Sequence, residues 1–274
     1  MPELPEVETV RRGLNDILPK PVTIVKVKLG HKGLRYPFRR SAILKSCGQK
    51  ILGVERRAKY LLFRLEKAYL LSHLGMTGSW RLGDGNSDPH DHVVLTLSDG
   101  RQLIYRDPRR FGQFDYISEL NFDGDPRFSH LGPDPLEEDA FSYPYFKEKL
   151  KGRSSSIKSL IMNQGIVVGV GNIYASESLY LAGIHPLRSG SHLQNSEIKI
   201  LREAIAHTLW DAIACGGTTI SDFRQAGGSS GYFQNLLFVY GRAGEPCPLC
   251  NTTIESQVIV GRNSFWCPQC QPLS

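Results

Sequence analysis

Between residues 22 and 117 apolar and polar residues alternate over short segments, at 22–29, 50–55, 60–65, 69–74, 78–82, 93–97, 102–105 and 112–117. A period of two places one face of each segment on a core and the other in water, which predicts antiparallel strands. Turn residues such as Ser98-Asp99-Gly100 punctuate them at the short intervals of a sandwich or barrel. Ahead of the strands, Val7, Val10, Leu14 and Ile17 recur at helical spacing, and Glu3, Glu6 and Glu8 crowd the turn where the helix dipole favours anions. This predicts a helix over 5–18. Past Leu131-Gly132-Pro133-Asp134-Pro135 the period becomes helical, over 140–150, 155–162, 173–182 and 196–214. Residues 216–232 are rich in Gly, Ser and Thr without a period, the mark of a long, functional loop. A strand at 236–240 and two more within 252–266 are predicted to close the chain. The fold class is therefore α+β, with an N-terminal antiparallel β-sandwich flanked by helices and a C-terminal helical domain ending in a β-hairpin.

Composition narrows the picture by exclusion. A chain of 274 residues with 41% hydrophobic and 22% charged residues has the make-up of an ordinary globular protein, and two domains suit its length. Its apolar runs, such as those at 60–63 and 69–71, fall far short of the roughly eighteen residues that a membrane span needs. Met-Pro-Glu-Leu-Pro-Glu at the start has neither a basic nor an apolar leader region, so a cytoplasmic protein is expected. The net charge of +6 is unevenly spread: residues 1–60 hold 14 Lys and Arg against 5 acids, whereas 119–139 hold seven acids and only Arg127. Such sidedness suits a polyanionic partner, and equally a solvated basic surface.

Four of the six cysteines form two CxxC pairs, Cys247/Cys250 and Cys267/Cys270, separated by 16 residues. That is the spacing of a four-thiolate zinc site, with disulfides or a redox dithiol as the other options. Four protein ligands leave zinc no open position, so one structural Zn2+ per chain is expected. Cys47 and Cys215 stand alone and are expected in the core.

Three clusters carry candidate chemistry. Once Met1 is removed, Pro2 is a secondary amine beside Glu3 and Glu6, and an α-amino group titrates near about 8, so part of it is a free nucleophile at neutral pH. Attack on a sugar C1′ gives an iminium that acidifies the C2′ proton, and a buried Glu3 could donate the matching proton. An ordinary helix start explains the same residues. Gly169-Val170-Gly171 before Asn172 exposes backbone N–H groups at a helix start, suited to phosphate or merely to tight packing. It lacks the parallel strand and downstream acid of a nicotinamide-binding fold. Arg109 and Phe111 between strands, with Met76 after another strand end, could enter a base stack, or be surface residues.

Together, Pro2-Glu3-Leu4-Pro5-Glu6, the segment Arg57-Ala58-Lys59-Tyr60, Asp107-Pro108-Arg109-Arg110-Phe111-Gly112, Gly169 to Tyr174, Gly231-Tyr232-Phe233-Gln234 and the four-Cys finger resemble bacterial formamidopyrimidine-DNA glycosylase, the Fpg family, in order and over the whole chain. The resemblance implies a catalytic domain over 1–133, a helix-two-turn-helix domain with a lesion-capping loop over 134–236, and a zinc finger over 237–274. It implies a monomer that excises oxidised purines from double-stranded DNA and cleaves the strand by β,δ-elimination. Pro2 would be the Schiff-base nucleophile, Glu3 the proton donor braced by Glu6, and Lys59 a phosphate ligand that helps transfer protons. Met76, Arg109 and Phe111 would fill the gap left by the everted nucleotide. Asn172, Lys158, Arg262 and His92 would contact DNA, and residues 218–232 would close over the flipped base. Asn163 and Gly227 stand where the family usually has acids, which bears on lesion preference. Two rivals remain, an endonuclease VIII-like enzyme for oxidised pyrimidines and a non-catalytic binder of damaged DNA, which gives Pro2 and Glu3 no task.

Overall fold

The computed structural model describes residues 1–83, 88–118, 124–217 and 236–273. They divide into two compact units, Met1–Ser129 with Cys215–Gln234, and His130–Ala214 with Asn235–Ser274. No described helix is long and apolar enough to cross a membrane.

The first unit opens with α1 (Leu4–Ile17), whose buried Val7, Val10 and Leu14 form the predicted stripe. Eight strands follow: β1 (Val22–Leu29), β2 (Lys50–Arg57), β3 (Tyr60–Leu65), β4 (Tyr69–His73), β5 (Ser79–Leu82), β6 (Asp91–Leu97), β7 (Gln102–Arg106) and β8 (Gln113–Ile117). They pair antiparallel in the order β5-β7-β6-β1-β2-β3-β4-β8. Strand β1 is the corner. Its first residues pair with β2, and after an irregularity between Ile24 and Lys26 the rest pairs with β6. A bulge of this kind bends a strand and lets it serve two sheets. The halves face each other across one core, in which Trp80 of β5 lies 4.9 Å from Phe63 of β3 and 5.9 Å from Phe114 of β8. This is the expected sandwich. The short helix α2 (Arg40–Ile43) between β1 and β2 is too brief to show a period.

The second unit contains α3 (Tyr143–Leu150), α4 (Ile157–Ile161), α5 (Asn172–Leu181) and α6 (Asn195–Ala214), then a hairpin of β9 (Glu255–Ile259) and β10 (Arg262–Trp266). Two expectations are corrected. No strand forms at 236–240, where the described chain bends and turns. The buried Glu177 carboxylate takes the N–H groups of Phe238 at 2.7 Å, Val239 at 3.0 Å and Tyr240 at 2.8 Å, leaving none of these three donors for a ladder. Nor do the lone cysteines belong to the core, since Cys47 is exposed and Cys215 half-buried. Cys47 lies in the turn that leads into β2, where the chain must reverse at the surface.

Candidate functional site

Pro2 and Glu3 are buried where α1 begins, while Met1 is exposed. Glu6, also buried, reaches back one turn and accepts the Glu3 N–H at 2.8 Å, fixing the backbone that carries both residues. Glu8 anchors the helix from its other side. It accepts from Arg11 Nη2 at 2.7 Å, Arg12 Nε at 3.0 Å and Arg56 Nε of β2 at 3.1 Å. Burial pushes its carboxyl up, but these guanidinium groups together outweigh it and hold the pKa down to about 2.

Lys59 lies in the two-residue turn between β2 and β3, strands against which α1 packs, with Ala58 at a φ of 54°. Lys59 is buried although charged. Its influence reaches His73 of β4, whose pKa is lowered to about 4 by burial first and then by the charges of Lys59 and Arg35. His73 is therefore neutral near pH 7. Its Nδ1 accepts the Gly75 N–H at 3.0 Å, which leaves the ring proton on Nε2.

Met76, Arg109 and Phe111 stand on two turns that the fold brings together. Met76 is in the turn after β4, and Arg109 and Phe111 are in the loop from β7 to β8. The Arg109 guanidinium sits 4.9 Å from the centre of the Phe111 ring. Met76 and Phe111 remain 37% and 44% exposed. Gly75, at a φ of 64°, packs so closely on the Phe111 backbone that a side chain there would collide with it. Behind the turns lies Asp107, fully buried. Buried His92 donates Nε2–H to the Asp107 carbonyl at 2.9 Å, which places its ring against the base of this loop.

In the second unit Lys158 of α4 is 1% exposed, and its Nζ donates to Asn172 Oδ1 at 2.7 Å and to Ser264 Oγ of β10 at 2.6 Å. Asn172, at the first turn of α5, donates Nδ2–H to the Asn263 carbonyl at 2.8 Å. One cluster thus joins α4, α5 and the hairpin, with Arg262 exposed at the start of β10 beside it. Asn163 turns its own loop, accepting the Gly165 N–H at 2.9 Å. Residues 218–232 and Gly227, expected in the lesion-capping loop, lie outside the described residues.

The four hairpin thiols converge. Their Sγ atoms all lie within 4.8 Å of one another, with Cys247–Cys270 at 3.8 Å, Cys250–Cys267 at 3.5 Å and Cys250–Cys270 at 3.5 Å. Disulfide sulfurs lie about 2.05 Å apart, so these pairs are not disulfides. A tetrahedron with Zn–S bonds of about 2.3 Å has edges of about 3.8 Å, which these residues match. Cys247, Cys250, Cys267 and Cys270 would hold one zinc ion that ties the ends of the hairpin together and supplies no step in a reaction.

The sequence reading missed Asp107 and Thr77 as organisers of the turns, and Ser264 and Glu177 as buried partners. Only Asp107 left a local trace, an Asp-Pro pair directly after a strand, a usual setting for a carboxylate that caps a turn.

Comparison with known proteins agrees with this arrangement along the whole chain. Residues 1–114 match the formamidopyrimidine-DNA glycosylase N-terminal domain, 131–224 the H2TH domain of the same enzymes, and 244–273 the zinc finger found in FPG and IleRS. The chain belongs to the formamidopyrimidine-DNA glycosylase family. It is 48% identical over 273 residues to the formamidopyrimidine-DNA glycosylase of Bdellovibrio bacteriovorus, covering 99% of this chain and 100% of the relative. The enzyme of Legionella pneumophila (strain Lens) is 45% identical, covering 100% and 99%. Among solved structures, the Fpg protein of Thermus thermophilus superimposes with a TM-score of 0.89 at 40% identity, covering 100% of both chains. Lactococcus lactis Fpg in complex with abasic-site DNA gives 0.88 at 37%, covering 98% and 99%.

Proposed function

We propose that this protein excises oxidised purines, 8-oxoguanine and formamidopyrimidines, from double-stranded DNA and then cleaves the strand at the resulting abasic site. The observation that carries the reading is the burial of Pro2 and Glu3 on a backbone fixed by Glu6. A non-catalytic binder has no use for an amine and an acid held in this way. After loss of Met1, the Pro2 nitrogen attacks C1′ as the C1′–N bond to the damaged base breaks, and Glu3 supplies the proton needed as the sugar opens or the base departs. The iminium acidifies C2′, whose proton is lost as the 3′ phosphate leaves, and a second elimination releases the 5′ phosphate. Lys59 holds a phosphate beside the lesion and helps move protons.

Met76, Arg109 and Phe111 occupy the gap left by the everted nucleotide, with Arg109 facing the unpaired base and His92 beside them at the DNA. Asn172 and Arg262 grip flanking phosphates, and buried Lys158, with its Nζ on Asn172 and Ser264, supports that grip from beneath. In this reading 1–133 performs catalysis, 134–236 holds DNA and covers the flipped base, and 237–274 completes the grip through its zinc-bound hairpin. Every group invoked lies on one chain, which supports a monomer, and action on DNA supports a cytoplasmic location.

The test is borohydride trapping on an abasic-site duplex, which captures a covalent adduct only from an amine nucleophile. Protein lacking Met1 forms the adduct, and protein that retains Met1, whose Pro2 nitrogen is tied up in an amide, forms none while still binding the duplex. Glu3→Gln binds as before and releases base on the order of a hundredfold to ten-thousandfold more slowly, the usual worth of a general acid. Full trapping by protein whose mass includes Met1 refutes the assignment.

A further inference from the structure

Thr77 lies next to Met76, and its hydroxyl does two things at once. It donates to Asp107 Oδ1 at 2.6 Å and accepts the Arg109 N–H at 3.2 Å. The second oxygen of Asp107 accepts the Gly112 N–H at 2.8 Å, and the Asp107 carbonyl accepts from Arg110 N at 3.2 Å and His92 Nε2 at 2.9 Å. Asp107 is fully buried and Thr77 is 7% exposed. The frame around them is closed as well: Tyr105 donates its hydroxyl to the His73 carbonyl at 3.0 Å, and Gly112 packs against that hydroxyl with no room for a side chain.

A lone surface turn would leave Met76, Arg109 and Phe111 free to move independently. Here a single side-chain hydroxyl and a single carboxylate tie the turn after β4 to both ends of the loop before β8. We infer that Thr77, through Asp107, is a positioning residue that makes Met76, Arg109 and Phe111 one rigid insert, and so sets the rate of lesion eversion and the discrimination between opposite bases. Neither residue touches DNA or the reacting atoms in this scheme. The inference rests on the function proposed above. Its signature is specific: a preformed abasic site has no base to evert from the stack, so its processing depends far less on the insert than excision of an intact lesion does.

The experiment compares wild type, Thr77→Val and Thr77→Ser on three duplexes, with 8-oxoguanine opposite cytosine, with 8-oxoguanine opposite adenine, and with an abasic site. Valine keeps the shape and loses the hydroxyl, whereas serine keeps the hydroxyl. For Thr77→Val, single-turnover excision opposite cytosine is expected to fall on the order of tenfold to a hundredfold, the scale of a misplaced positioning group. The cytosine-over-adenine ratio narrows, borohydride trapping on the abasic duplex falls by far less, and Thr77→Ser restores excision and ratio. A Thr77→Val protein with unchanged excision and ratio overturns the inference. So does one whose excision and trapping fall in parallel, since that marks a general structural role, and so does a Thr77→Ser protein as impaired as Thr77→Val. Wild type that neither excises nor traps overturns the function itself, a result distinct from the others.

Discussion

In the first unit, Met76, Arg109 and Phe111 stand on turns tied by a buried carboxylate and a hydroxyl, all within one β-sandwich. In the second, Lys158 and Asn172 depend on partners from a hairpin whose ends are gathered by four thiols. The first cluster leaves Met76 and Phe111 exposed, whereas Lys158 of the second is buried. The difference lies in what keeps them in place: hydrogen bonds inside an extensive core in one case, and in the other a metal that substitutes for a core the last residues are too few to build. The two clusters should therefore fail separately.

Metal removal gives the largest effect. Zinc chelation or Cys250→Ser unfolds the hairpin, withdraws Ser264 and Asn263 from Lys158 and Asn172, and abolishes binding in a gel-shift titration, because a structural zinc contributes about 10 kcal/mol or more to such a fold. The near-ultraviolet signal of the cluster around Trp80 persists. One zinc per chain is expected by elemental analysis, and a zinc-free sample that binds DNA with full affinity breaks the comparison.

A smaller effect separates Arg109 from Lys59 within the first unit. Arg109 presents donors that cytosine can accept at O2 and N3, while adenine offers fewer acceptors on the same edge. Arg109→Ala is expected to narrow the cytosine-over-adenine ratio of kcat/KM by about tenfold, the worth of one good base contact. Lys59→Ala, which on the proposed role loses a phosphate contact, is expected to lower both rates and leave their ratio. An unchanged ratio in Arg109→Ala removes the opposite-base role from Arg109.

The smallest effect is the response of each unit to acid, and here the signs are opposite. Glu8 in the first unit has a folded pKa of about 2, below its ordinary value of 4.5, so its stabilisation is complete above that value and is lost as pH falls towards 2. Glu177 in the second unit is raised instead, because burial outweighs the three N–H groups and the Arg242 charge that favour its ionised form. Its contribution weakens as pH climbs past the ordinary carboxyl value of 4.5. Hydrogen exchange resolved by segment, followed downward from pH about 5 to about 3, should show α1 losing protection while α5 keeps it. Glu8→Gln should remove the loss in α1.

How far these features could be read in the sequence depended on their range. The strands at 22–29 and 60–65 appear with the expected bounds because alternating burial writes itself into every second residue. The CxxC pairs were equally plain, since thiolate spacing is local chemistry. The failed strand at 236–240 has an apolar pattern, but its donors are claimed by Glu177, about sixty residues away, and no window over the segment contains that carboxylate. Pro2, Met76 and Arg109 were legible as candidates but equally as a helix start, a turn and a surface arginine until family likeness separated the readings, and Lys158 was reached through that likeness alone. Asp107 and Thr77 escaped for the opposite reason, being ordinary residues whose importance lies only in whom they touch.

The Lys158 contacts also bear on the order in which the protein assembles. Asn172 lies 14 residues along the chain from this lysine, but Ser264 lies 106 away, whereas the Thr77 bonds to Asp107 and Arg109 span 30 and 32. Closing a longer loop costs more entropy, and distant pairings form later. The insert of the first unit can thus mature early in synthesis, while Lys158 waits for its Ser264 acceptor until β10 emerges. A chain halted before Ser264 holds Lys158 through the helical unit alone, so the last step of assembly is the docking of β10 on that lysine.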